Sequence, residues 1–154
     1  MKRVVFAFAA LLLACAGAQA AATCSVTASL AFGSFNPLPG QLADTAGTIS
    51  VTCTGNINDS ANYTIAIDAG LGSFAERKMV FGSNFLAYNL YRDSGCTQVW
   101  GDGITGGTYA VSDSMTLSSS SNTKNYVVYG RIASGQNTAS AGNYGDSLVV
   151  TLTY

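Results

Sequence analysis

Histidine is absent from all 154 residues. That removes the imidazole base of Ser-His and Cys-His nucleophilic enzymes and the usual imidazole ligands of zinc sites. Charge is scarce too: charged side chains make up 10% of the chain, with 7 Lys and Arg against 8 Asp and Glu. The basic residues beyond the N-terminus are scattered as Arg77 with Lys78, Arg92, Lys124 and Arg131, which excludes the basic arm or patch of a nucleic-acid partner. There are 2 prolines, both in the breaker cluster Asn36-Pro37-Leu38-Pro39-Gly40. The single long apolar run, Val4 to Leu13, is short for a bilayer and has no second candidate behind it.

What is there begins with an export signal. Lys2 and Arg3 precede the apolar run, and Ala18-Gln19-Ala20 forms an A-x-A cleavage site before Ala21, so residues 1–20 read as a signal peptide and 21–154 as the mature domain. A rival reading takes Leu12-Leu13-Ala14-Cys15 as a lipoprotein signal and makes the product a lipid-anchored periplasmic protein. Under either reading Cys15 is unavailable to the domain, leaving Cys24, Cys53 and Cys96 in an oxidising compartment. Cys24 and Cys53 each belong to an inward-facing set and are the preferred disulfide. Cys96, beside Gly95 in a turn, is left as a buried free thiol, an intermolecular crosslink or an alternative partner in the bridge.

Short alternating segments follow one another with no convincing helix. Cys24–Phe35, Thr48–Thr54, the set Tyr63, Ile65, Ile67, then Phe85–Arg92 and Tyr126–Ile132 all show the period of two that marks a strand with one buried face. Met79 with Phe81, and Met115 with Leu117, mark two more. The last segment is the most informative: after the turn Gly142-Asn143-Tyr144-Gly145-Asp146, residues Ser147 to Tyr154 alternate, with Leu148, Val150, Leu152 and Tyr154 on one face. Many short strands between Gly and Pro turns predict one all-β sandwich or barrel. The terminal comb predicts an edge that lacks a neighbour.

Motifs for chemistry fail on inspection. Gly145-Asp146-Ser147-Leu148 matches the nucleophile string of some secreted esterases, but no base exists to take the serine proton. Asp93 and Asp102 flank one turn without an acidic partner or a calcium-loop pattern. Gly101, Gly103, Gly106 and Gly107 precede neither a Lys-Ser/Thr pair nor a helix that would hold a phosphate. No enzyme activity, cofactor or metal is expected. Among the aromatics, Tyr91 and Tyr129 fall on outward faces and are candidate glycan- or surface-contact residues, as in a free-standing secreted binding module.

Taken in order, Cys24, Phe32-Gly33-Ser34-Phe35-Asn36-Pro37, Ile49-Ser50-Val51-Thr52-Cys53, Leu86-Ala87-Tyr88-Asn89-Leu90-Tyr91-Arg92-Asp93, Val99-Trp100-Gly101-Asp102-Gly103, Tyr129-Gly130-Arg131-Ile132 and Gly142-Asn143-Tyr144-Gly145-Asp146 resemble the spore coat protein U family, which includes subunits of archaic chaperone–usher pili. The resemblance covers essentially the whole mature chain. It implies an incomplete immunoglobulin-like β-sandwich lacking its final strand. It also implies a periplasmic chaperone, an outer-membrane usher and a neighbouring pilus or coat subunit that lends the strand, with transit through the periplasm to the cell surface. Leu148, Val150, Leu152 and Tyr154 would line the receiving groove, opposite the first strand. Ala21, Ala22 and Thr23, the residues between the A-x-A site and Cys24, carry no donor pattern, which favours a strand-receiving tip or coat piece.

Overall fold

The computed structural model describes residues 22–36 and 41–154. The export signal, its A-x-A site and Cys15 lie outside the described residues. Eight strands follow in chain order: β1 (Thr23–Ser29), β2 (Ala43–Thr54), β3 (Ser60–Ile67), β4 (Arg77–Phe81), β5 (Asn84–Tyr91), β6 (Val111–Thr116), β7 (Ser121–Ile132) and β8 (Val150–Thr153). They form a five-stranded sheet ordered β1-β2-β7-β5-β4 and a three-stranded sheet ordered β6-β3-β8. Every strand pair is antiparallel. The result is an all-β, incomplete immunoglobulin-like sandwich whose smaller sheet cannot cover the larger one.

Alternation places the core. Ile49, Val51 and Cys53 of β2, Tyr63, Ile65 and Ile67 of β3, Leu86 and Leu90 of β5, and Val128 and Ile132 of β7 are buried between the sheets, as a period of two requires of strands with one covered face. Cys24 and Cys53 are direct register partners on β1 and β2 and are disulfide-bonded. Closing that loop stabilises the fold by about 2–4 kcal/mol. Cys96 is free and half-buried.

Four strand boundaries differ from the sequence pattern, each for a reason outside the segment. The alternation of Cys24–Phe35 predicts one long strand, but β1 stops at Ser29, because Leu30 leaves the sheet and crosses Gly47, where a Cβ would stand 2.7 Å from Leu30 Cβ. β2 and β7 pair along their whole lengths, from Ala43 opposite Ile132 to Thr54 opposite Ser121, so each recruits residues with a loop-like composition. β8 begins only at Val150. Just upstream, Val149 exchanges hydrogen bonds with Asp68 beyond the end of β3, and Gly145 bridges Val80 on β4.

Two polar clusters tie the sheets together. Trp100, 1% exposed, receives the β5 chain at its backbone N–H, which donates to Leu90 O, and its indole Nε1 donates to Ile65 O of β3 at 3.1 Å. Beside it Arg77 is completely buried. Its guanidinium donates to Asp68 O from Nε and Nη2, to Trp100 O from Nη2 at 2.8 Å, and to Asn89 Oδ1 from Nη1. Burial pulls its pKa below the ordinary arginine value, and the converging carbonyls compensate the charge. On the other flank, Tyr126 of β7 hydrogen-bonds Tyr63 of β3 and donates to Asp113 of β6, which also pairs with Lys124 at 2.6 Å. Lys124, the Ser114 N–H and the Tyr126 hydroxyl lower the Asp113 pKa to about 2.

Arg77 reads in the sequence as one more scattered surface cation, and the fold makes it a core residue. Arg77→Met leaves Asp68 O, Trp100 O and Asn89 Oδ1 without their donor, and a loss of about 2–4 kcal/mol in unfolding free energy is expected. Arg77→Lys recovers little of it, since an ammonium cannot reproduce the fork. Denaturant midpoints of the disulfide-bonded chain measure both.

Candidate functional site

Strand edges carry backbone donors and acceptors that a neighbour normally satisfies. Among the described residues β1 pairs only with β2, and β8 pairs only with β3. These two free edges, one from each sheet, face an apolar cleft of about 850 Å³. Its floor is the inner face of the five-stranded sheet, with Ile49, Val128, Ile132, Leu86, Leu90 and Met79. Leu148 and Val150 form one wall. The segment Ala28–Phe35 forms the other, and Ala139–Asp146 closes an end.

Burial thins toward this cleft. The inward residues of β3, at the centre of the small sheet, are sealed: Ala61, Tyr63, Ile65 and Ile67 are at most 6% exposed. One strand further out, Leu148, Val150 and Leu152 are only half-buried. Across the cleft, Cys24 is buried, Val26 half-buried and Ala28 exposed. The core is therefore unfinished along both edges, where apolar side chains already point inward.

The cleft has little polarity to offer chemistry. Asp146 is the one charged residue in its lining, and its Oδ2 accepts the Tyr88 hydroxyl at 2.7 Å. Burial raises the Tyr88 pKa, and the adjacent Asp146 carboxylate adds to the shift, so the phenol stays protonated as a fixed donor. Ser147 is exposed and its N–H donates to Asp146 Oδ1. Asp93 accepts from the backbone of Thr97 and Gln98 and from the Thr97 hydroxyl. Asp102 accepts from Ile104, Thr105 and Thr108, and the Thr105 hydroxyl and N–H hold its carboxyl well below the usual range. Both aspartates thus serve their own turns, and among the described residues no three His, Cys, Asp or Glu cluster as metal ligands.

The structure distributes the terminal comb unevenly. Leu148 and Val150 line the cleft, while Leu152 packs half-buried against the core beside β3. Tyr154, expected to continue the row, is 57% exposed and lies in a separate shallow groove with Tyr63, Asp113 and Thr153. Tyr91 and Tyr129 are direct cross-strand partners on β5 and β7, both half-buried, and each alternates with a buried inward neighbour, Leu90 or Val128. Pattern reasoning did not find the end wall Ala139–Asp146 or the role of Tyr88. Nothing local in those residues signals which edge they border.

The family model described as Spore Coat Protein U domain matches residues 9–151. No curated protein matches the chain. Among solved structures, one similar chain belongs to the crystal structure of the CsuC-CsuE chaperone-tip adhesion subunit pre-assembly complex from archaic chaperone-usher Csu pili of Acinetobacter baumannii. It is 23% identical with a TM-score of 0.56, and the match covers 86% of the present chain and 40% of that one. At that identity the likeness is one of fold.

A charge placed on the cleft wall is expected to prevent an apolar strand from settling there. Val150→Asp should weaken binding of an alternating apolar peptide by about 100-fold or more, since a buried unpaired carboxylate costs several kcal/mol. Val149→Asp, on the 61% exposed neighbour, should change it by no more than about twofold. Calorimetry on the two variants compares them directly.

Proposed function

The chain belongs to the Spore Coat Protein U domain family, and from that premise we propose that it is a secreted structural or adhesive subunit of a surface pilus or coat, completed by a strand from outside. The observation that carries this reading is the pair of free edges, β1 and β8, on either side of an apolar cleft. An extended segment entering the cleft pairs its backbone with the open β8 edge and buries alternate side chains against Leu148, Val150 and the sheet floor. Each large apolar side chain so buried contributes roughly 1.5–3 kcal/mol before ordering costs. A periplasmic chaperone supplies the strand in transit, an outer-membrane usher passes the subunit on, and a neighbouring pilus or coat subunit replaces the chaperone. This is a binding and assembly role in which no bond is made or broken.

Exported alone, the chain is expected to be sticky and to bind a hydrophobic dye. Adding an alternating apolar peptide should displace the dye and raise the unfolding free energy by about 2.7 kcal/mol at a hundred times its Kd. A monomer that folds cooperatively, binds no dye and ignores such peptides would overturn the proposal.

A second role is supported by one specific observation, the side-by-side placement of Tyr91 and Tyr129. Two adjacent amphipathic rings suit contact with a glycan or solid surface. The double variant Tyr91→Ala, Tyr129→Ala is expected to reduce adhesion of the assembled material while leaving peptide uptake in the cleft unchanged. Loss of both together would remove the surface-contact role.

A further inference from the structure

The wall opposite Leu148 and Val150 is built in an uncommon way. After β1 the chain does not run on along the sheet edge; it turns over the sheet's inner face, and two glycines on adjacent strands make the space. Gly47 of β2 stands opposite Val128, and Gly130 of β7 stands opposite Thr45. A Cβ on Gly47 would lie 2.3 Å from Ser29 O. One on Gly130 would lie 2.7 Å from Phe32 Cζ and 3.1 Å from Leu30 Cδ1. The Thr45 hydroxyl fastens the crossing by donating to Ala31 O at 2.8 Å. Leu30 and Phe32 therefore rest on bare backbone.

Phe32 is held from a second direction. Its ring meets Tyr88 edge-on, with centroids 5.7 Å apart at 77°, and Tyr88 is itself anchored through its hydroxyl to Asp146. Gly33, at φ +66°, turns the chain immediately after it, a conformation that favours glycine. Elsewhere the cleft floor consists of side chains standing up from the sheet, Tyr88 between Leu86 and Leu90 among them. Over Gly130 the floor is bare, and the space is taken by a ring that comes from the wall.

Resting on the strand-acceptance reading, we propose that Phe32 seated on Gly130 is a specificity-determining element of the cleft: it makes one position shallow, so that the accepted strand carries a small side chain there and large ones at its other inward positions. A strand that is bulky at every inward position must then displace the ring. A strand with one small residue slides until its gap meets Phe32, which fixes its register. Shape selection of this kind works by exclusion as much as by attraction.

The test uses the full chain, exported so that its disulfide forms, and two synthetic peptides of about nine residues. Both alternate an inward residue with Thr; in one every inward residue is Leu, and in the other the central inward Leu is Gly. The wild-type chain is expected to bind the Gly-bearing peptide at least about tenfold more tightly, and Phe32→Ala is expected to reverse the order in favour of the all-Leu peptide. Gly130→Ala, which drives a methyl into Phe32, should weaken both peptides, and adding Phe32→Ala should restore them, a non-additive coupling. If Gly130→Ala does not fold, the Phe32→Ala comparison decides alone. A wild-type preference for the all-Leu peptide, or the same order of preference with and without Phe32, overturns the assignment while leaving strand acceptance intact. If wild type binds neither peptide, strand acceptance itself fails, and this assignment with it.

Discussion

The backbone hydrogen bonds of β8 are satisfied on one side only, and the rest of the molecule is arranged around that fact. Among the described residues β8 has β3 alone as a neighbour, and the cleft opens along its other side. The small sheet consequently stops one strand short of covering the large one. The half-buried state of Leu148 and Val150, and the exposure of Ala28 across from them, follow from the same missing neighbour.

An incomplete sandwich keeps its shape only if the completed parts are firmly joined. Trp100 and Arg77 bind β3, β4 and β5 at one place through backbone carbonyls, and the Tyr63–Tyr126–Asp113–Lys124 chain joins β3, β6 and β7 at another. β1 is treated asymmetrically. Its start is locked to β2 by Cys24–Cys53, while its end is released over Gly47 and Gly130. One end of that edge is thereby fixed and the other shaped, which suits a groove that is to receive a strand. At the cleft the Tyr88 hydroxyl is already paired with Asp146.

Much of this was legible because local alternation and burial agree. The inward sets of β2, β3, β5 and β7, and the pairing of Cys24 with Cys53, are properties of segments whose two faces differ in polarity. Leu148 and Val150 were legible on the same ground, since an alternating comb faces something apolar. The pattern failed where the partner strand, not the segment, sets the outcome. Ser121–Asn125 is a strand because β2 runs alongside it, and Leu30–Phe35 is not one because two glycines elsewhere let it cross. Tyr154 keeps the alternation but is exposed in a separate groove beside Tyr63 and Asp113.

The sequence by itself determined that this is a histidine-free, all-β chain with a Cys24–Cys53 disulfide and an apolar comb at Leu148–Leu152, because composition and a period of two are written residue by residue. Which edges are left open, and that Arg77 is buried and Phe32 lies over Gly130, only the tertiary structure decided. Those are relations between residues far apart in the chain, brought together by strand order and by the paths of loops, and no window along the sequence contains both partners.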